Sequence, residues 1–316
     1  MTDLPSLRQL RYLAALAENR HFGRAAEACH VSQSTLSAGI QELEQRLGGA
    51  LVERSKRNVR LTPLGEQVAE RARALLAEAE ALVALGRAAE PLDGPLRLGV
   101  IPTISPYLLP RLLPALRRKH AKLRLYLTED LTARIVERLN EGNLDLLLLA
   151  LPYDLPGLET MILFEDPFLF AARRDHPLAE SGAKDAPLPS TRLEHEPLLL
   201  LEDGHCLRDQ ALAACRLGER RRQPFAATSL PTLIQMVDNG IGSTLLPRMA
   251  VASGALKGTA ITTRPLAPES GQAEPARSIG LAWRRSDPRR PAFRQLGQEI
   301  AELAQRYEIA DKSRKR

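Results

Sequence analysis

Cys206 and Cys215, two of the chain's three cysteines, stand nine residues apart in the run Leu-Glu-Asp-Gly-His-Cys-Leu-Arg-Asp-Gln-Ala-Leu-Ala-Ala-Cys. Thiols so placed offer redox chemistry. A thiolate attacks a hydroperoxide, becomes a sulfenic acid, and condenses with a second thiol to a disulfide. Two features known to lower a thiol pKa, a helix N-terminus and nearby cations, are in prospect at Cys206, which has His205 before it and Arg208 after it. Asp209 is placed to orient Arg208 or to accept a hydrogen bond from a bound hydroperoxide. The plain alternative is a pair of inert buried thiols, because reactivity depends on exposure.

The surrounding residues predict how the pair is held. A polar turn at Glu202, Asp203 and Gly204 opens onto Leu207, Ala211, Leu212 and Cys215 at helical spacing, which puts Cys206 in the first turn of a helix. Nine helical residues rise about 13.5 Å, whereas a disulfide needs α-carbons roughly 4.4 to 6.8 Å apart. A bond between these thiols therefore requires the segment to unwind.

At 316 residues and 44% apolar content the chain has room for two domains with sizeable cores. It has no long apolar run and begins with polar residues, so no anchor or signal is expected and a cytoplasmic location is. Reducing compartments keep thiols free, which argues against a structural disulfide framework. A formal charge of +6 and a pI near 9.5 permit a nucleic-acid partner. Between Arg46 and Arg60 five basic residues face one acidic residue, Glu53.

The first ninety residues organise that charge. Ser6 to Glu18 reads as a helix, Phe22 onward as a short Ala-rich helix, His30 and Val31 as a turn, and Ser32 as the cap of a second helix. Leu36, Ile40, Leu43 and Leu47 mark its core face, leaving Gln33, Ser34, Thr35 and Ser37 turned away near its start. This is helix-turn-helix logic, in which the start of the second helix meets base edges. Gly48 and Gly49 end it. A two-stranded wing follows, whose Arg54, Lys56, Arg57 and Arg60 would contact phosphates. Thr62 caps and Pro63 starts a long helix to about Ala89. Its seam of Leu64, Val68, Leu75, Ala79, Leu82 and Val83 calls for the same helix of another subunit. Cys29, among alanines, reads as a small buried apolar residue. The bland alternative is a helical domain whose Ser and Gln residues merely solvate a face.

After the linker Pro91 to Pro95, strands and helices alternate: Leu96 to Val100, Tyr107 to Lys119, Leu123 to Leu127, Ala133 to Glu141 and Leu144 to Leu151. Phe168 to Ala172, Pro197 to Leu201, Ser243 to Leu246 and Ser278 to Trp283 read as further strands, with helices at Leu230 to Asn239 and Phe293 to Tyr307. The order implies a largely parallel sheet covered on both faces. Thr103, Ser105 and Thr132 stand at strand-to-helix junctions, where open α/β sheets bind ligands, although such hydroxyls also cap helices.

The residues Leu10-Arg-Tyr-Leu, Ala25-Ala, Val31-Ser-Gln-Ser-Thr-Leu-Ser, Ile40, Leu43-Glu, Leu47-Gly, Leu51, Arg54 and Leu61-Thr-Pro-Leu-Gly closely resemble the winged helix-turn-helix of LysR-type transcriptional regulators. The resemblance implies base contacts from Gln33, Ser34 and Ser37, with Val52 replacing the family's usual aromatic residue. It also implies an α/β effector domain of periplasmic-binding-protein type (two subdomains), preceded by an all-α, winged helix-turn-helix DNA-binding domain and a long linker helix. The expected division is 1–62 for DNA binding, 63–92 for the linker and 93–307 for regulation. Subdomains of 93–167 plus 270–307 and of 168–269 meet at crossovers near Glu165 to Pro167 and Pro265 to Pro275, and 308–316 forms a basic disordered tail.

Gly204-His-Cys-Leu-Arg-Asp-Gln-Ala-Leu and Ile101-Pro-Thr-Ile-Ser-Pro-Tyr-Leu-Leu-Pro resemble the hydrogen-peroxide-sensing OxyR subfamily. That resemblance makes Cys206 the peroxide-reacting and Cys215 the resolving cysteine, and assigns Thr103, Thr132, His205, Arg208 and Asp209 to the peroxide pocket. Ala214 is smaller than the residue many relatives carry there, and Arg216, Arg220, Arg221 and Arg222 read as a solvated basic loop. The implied protein is no enzyme. It is a regulator of oxidative-stress genes with no metal or other cofactor. Its implied partners are double-stranded promoter DNA, further copies in a homodimer or homotetramer, hydrogen peroxide, RNA polymerase and thiol reductants, with no membrane. Two rivals remain: a regulator answering an organic anion at Thr103 and Ser105, and a thiol peroxidase using Cys206 in turnover. A metal site of His205, Cys206 and Cys215 is weaker, since adjacent ligands are unusual.

Overall fold

The computed structural model describes residues 4–54, 59–85, 92–180, 186–193, 196–214, 226–268 and 274–307. They form two compact units, one built on residues 1–89 and one on most of the remainder.

In the first unit, α1 (Leu7–Asn19) starts with a capping box in which Ser6 Oγ accepts the Gln9 N–H and the Gln9 side chain accepts the Ser6 N–H. Helix α2 (Phe22–Ala28) leads through His30, which takes a left-handed φ of 55°, to α3 (Gln33–Leu47). Ser32 caps α3, as its position before the apolar repeat predicts. Ala25 and Ala26 are fully packed against Leu10, Leu13, Leu36, Ile40 and Leu43, so three helices share one small core. Gly48 ends α3 in the left-handed conformation. The Glu44 carboxylate then accepts the backbone N–H groups of Leu51 and Val52, at 2.8 and 3.1 Å, tying α3 to the wing.

The wing is the antiparallel pair β1 (Val52–Arg54) and β2 (Val59–Leu61), with Val52 opposite Leu61 and Glu53 opposite Arg60. Its Val52 is buried despite its modest size. The long helix α4 (Pro63–Leu85) follows, and the Thr62 hydroxyl accepts the Gly65 N–H at 3.0 Å. Any side chain at Gly65 would run into the Leu51 carbonyl, so glycine is required there. Ala69 and Ala72 face the core, while Leu64, Leu75, Leu82 and Val83 are exposed. The expected stretch to Ala89 lies outside the described residues beyond Leu85.

The second unit runs β3 (Gly94–Val100), α5 (Ser105–Lys119), β4 (Leu123–Glu129), α6 (Thr132–Asn140), β5 (Leu146–Leu151), β6 (Leu158–Arg173), α7 (Pro177–Glu180) and β7 (Leu188–Pro189). It continues through β8 (Leu200–Leu201), α8 (Cys206–Ala214), β9 (Ala226–Ala227), α9 (Leu230–Asp238), β10 (Thr244–Pro247), α10 (Arg248–Ala252), β11 (Ile261–Ala267), β12 (Ala276–Arg284) and α11 (Arg290–Arg306). The main sheet has the order β4-β3-β5-β12-β6-β11-β7, with β10 also on β6.

The sheet corrects the expectation of a largely parallel one. Strands β3, β4 and β5 are parallel, but β12 is antiparallel to both β5 and β6, and β6 is antiparallel to β10 and β11. The cause is β6. Its first part pairs with β12 from Leu158 to Pro167, and its last part pairs with β10 and β11 from Phe168 to Arg173, so one strand serves two halves. Strand β12 then returns the chain to the first half, entering against β5. Sequence reading found only the apolar last part of β6 and missed β11, where Pro265 interrupts the pattern yet pairs opposite Leu169.

Candidate functional site

The expected redox residues sit on loops where strands give way to helices. Thr103 follows β3 and precedes α5, Thr132 opens α6 after β4, and Cys206 opens α8 after β8. Gly204, with φ 98°, makes the turn that brings the chain from β8 into α8. The Thr132 hydroxyl lies 3.5 Å from the Cys206 sulfur, joining residues 74 positions apart. Cys206 is half-buried, Leu207 is buried and anchors the helix, and His205 is buried just before it. The sulfur therefore sits beside the first residues of both α6 and α8.

Thr103 is held by β12. The Arg277 guanidinium donates to the Thr103 hydroxyl at 2.9 Å and to its carbonyl at 3.0 Å. Arg277 also pairs with Asp166, through Nε at 3.0 Å and Nη2 at 2.9 Å, and both side chains are fully buried. The second Asp166 oxygen accepts the Met249 N–H at 2.8 Å. This network links the loop between β3 and α5 to β6, β12 and α10. Burial pushes the Asp166 carboxyl above its ordinary range, with Arg277 pulling the other way. One turn along α5, the Tyr107 hydroxyl is buried with no partner among the described residues. Burial raises its pKa to about 12, with Arg277 opposing and Glu129 adding.

Two expected features differ. Arg208 donates from Nη1 to Asp203, in the turn before the helix, and not to Asp209, which points into solvent. Asp203 precedes the helix start and can be reached back to, whereas Asp209 lies beside Arg208 on a different helical face. Cys215 and the basic stretch to Arg222 lie outside the described residues. Sequence reasoning missed Arg277, Asp166 and Tyr107. It also missed Gln210, whose amide is buried one turn after Cys206 with neither end partnered among the described residues.

The expected DNA face is on α3. Gln33, Ser34 and Thr35 are exposed and Ser37 is half-buried. On the wing Arg60 is exposed, Arg54 ends β1, and Lys56 and Arg57 lie outside the described residues. Cys29 is half-buried, with its sulfur 3.9 Å from the Arg11 carbonyl, and burial raises its pKa, as befits a packing residue.

Residues 7–66 match the bacterial regulatory helix-turn-helix protein, lysR family, and residues 89–305 match the LysR substrate binding domain. The chain belongs to the LysR family of transcriptional regulators. Among LysR relatives, the HTH-type transcriptional regulator EstR of Acinetobacter baylyi is 46% identical over 296 residues, covering 93% of this chain and 95% of that protein. The DNA-binding transcriptional dual regulator OxyR of Escherichia coli is 42% identical over 297 residues, covering 93% of this chain and 94% of its own. A full-length OxyR variant from Pseudomonas aeruginosa superposes with a TM-score of 0.79 at 38% identity, covering 93% of this chain and 94% of that one. A hydrogen-peroxide-bound OxyR mutant from Corynebacterium glutamicum gives 0.64 at 34% identity, covering 97% and 95%. This LysR-family chain is thus a DNA-binding regulator of OxyR type, with a mixed α/β effector unit behind a helix-turn-helix.

Proposed function

We propose that the chain senses hydrogen peroxide through Cys206 and passes the signal to promoter DNA. The observation that carries this reading is the Thr132 hydroxyl 3.5 Å from the Cys206 sulfur at the start of α8. Thr132 donates to the thiolate and holds it for attack. Arg277 has only donors, so the Thr103 oxygen accepts from it and the Thr103 O–H is left to donate to a peroxide oxygen. His205 and Arg208 add cationic or donor character beside the site, with Asp203 steadying Arg208 and Asp209 at the rim.

In the first step the Cys206 thiolate attacks one peroxide oxygen, the O–O bond breaks, and hydroxide leaves, giving the sulfenic acid. The Cys215 thiol then displaces water from that sulfur, forming the disulfide. A cytosolic dithiol reverses it. Because Cys206 begins α8, the second step requires α8 to refold, and the refolded surface changes how copies of the effector unit pair. Residues 1–62 read DNA through Gln33, Ser34, Thr35 and Ser37, with Arg54, Lys56, Arg57 and Arg60 on phosphates. Residues 63–92 pair subunits, for which the exposed Leu64, Leu75, Leu82 and Val83 supply an apolar seam, and residues 93–307 sense. RNA polymerase reads the outcome at oxidative-stress promoters. Among the described residues no helix is long and apolar enough to cross a membrane.

The test is thiol mass mapping of the full-length protein before and after low-micromolar peroxide, with DNA footprints in parallel. Cys206 should be oxidised first and Cys206→Ser should abolish the footprint change. A response that persists in Cys206→Ser would sink this reading and leave an organic anion as the signal.

A further inference from the structure

The outward face of α3 is not all hydrogen-bonding. Ser32 Oγ accepts the Thr35 N–H at 3.1 Å and lies 2.8 Å from both the Ser34 and the Thr35 hydroxyl oxygens. The cap turns the Thr35 hydroxyl toward Ser32, and the γ-methyl is the apolar group this exposed side chain offers a partner. Ala38, three residues on and one turn after Ser34, is exposed and offers only a methyl. Side chains three apart on a helix are neighbours, so the two methyls form one apolar spot.

That spot cannot turn inward. Leu36, Ile40 and Leu43 are fully buried on the opposite side. The Tyr12 ring lies against the backbone at Gly39, where a Cβ would come within 2.6 Å of it. Gln9 donates to the Glu42 carboxylate at 3.0 Å, fixing α1 on α3. In the major groove thymine alone among the bases presents a methyl, and Ala and Thr methyls are suited to contact it.

We infer that Thr35 and Ala38 are specificity-determining residues that read the ring methyl of a thymine, while Gln33 and Ser37 supply the hydrogen-bonding part of the code. The inference rests on the helix-turn-helix alone and holds whatever signal the effector unit receives.

The experiment uses the full-length protein and a duplex operator selected from a random pool. Each thymine is replaced in turn by deoxyuracil, which deletes only the methyl. At one thymine of each half-site, uracil should weaken binding about fourfold, the worth of roughly one buried methyl group. Thr35→Ser keeps the cap hydroxyl and removes the γ-methyl, and Ala38→Gly removes the β-methyl. In each, the thymine-to-uracil penalty at that position should shrink or vanish. Ala38→Ser, a better helix former than glycine, decides the case if Ala38→Gly does not fold. Uracil that is neutral at every position in the parent protein overturns the inference. So does a penalty that persists undiminished in the variants.

Discussion

Helices α8 and α9 are both nine residues long, and each follows one strand of the same two-stranded parallel pair, β8 and β9. They are held very differently. Helix α9 buries Leu230, Leu233, Ile234 and Val237, and Ser229 caps it by accepting the Thr232 N–H at 3.3 Å. Among the described residues, helix α8 fully buries Leu207 and Ala211, and it also encloses the Gln210 amide and Arg208 Nε, which have no partner among those residues. A buried aliphatic side chain contributes about 1.5–3 kcal/mol, whereas an unsatisfied buried polar group costs about 1–3 kcal/mol. So α9 is framework, and α8 is held weakly enough to be rebuilt. The proposed switch, in which α8 refolds so that Cys206 reaches a partner thiol, calls for a segment of the second kind.

The largest effect expected from this contrast is on global stability. Leu233→Ala should cost about 2–5 kcal/mol in urea unfolding of the reduced protein, the range for truncating a packed leucine. Leu207→Ala removes a side chain of the same size but should cost clearly less, because α8 can open while the rest of the fold stays intact. Equal losses would break the comparison. Amide exchange gives a second view. The α8 amides should exchange through local opening, well before those of α9, and matching protection would argue against a loosely held α8.

How much of this was legible in the sequence depended on how far apart the cooperating residues lie. The helix-turn-helix could be read almost residue by residue, since Ser32, Leu36, Ile40 and Gly48 report on one helix and its immediate neighbours. The start of α8 was equally plain from Glu202 to Gly204 and the apolar spacing after it. Arg277 and Asp166 were not legible. They are 111 residues apart and meet only because β6 and β12 pair with Arg277 opposite Asp166. A lone charge at the edge of an apolar run gives no sign of such a partner. The first part of β6 was hidden for a related reason: Glu159, Thr160 and Glu165 dilute its apolar residues, and its place in the sheet is fixed by a neighbour more than a hundred residues away. Ala38 was missed because an alanine carries no chemical label until its exposure is known.

The smallest expected effect isolates one cause of the difference between the two helices. Among the described residues Gln210 has neither amide end partnered, so Gln210→Met keeps the length of the side chain and removes both orphaned groups. If those groups weaken α8, the variant should stabilise the local structure by about 1 kcal/mol. In the reduced protein the α8 amides would then exchange several-fold more slowly, and the gap to α9 would narrow without any change in α9 itself. Unchanged α8 exchange would instead assign the whole difference to the short apolar face formed by Leu207 and Ala211. A faster exchange would mean that Gln210 supports the helix, and the contrast with α9 would then rest on the missing aliphatic side chains alone.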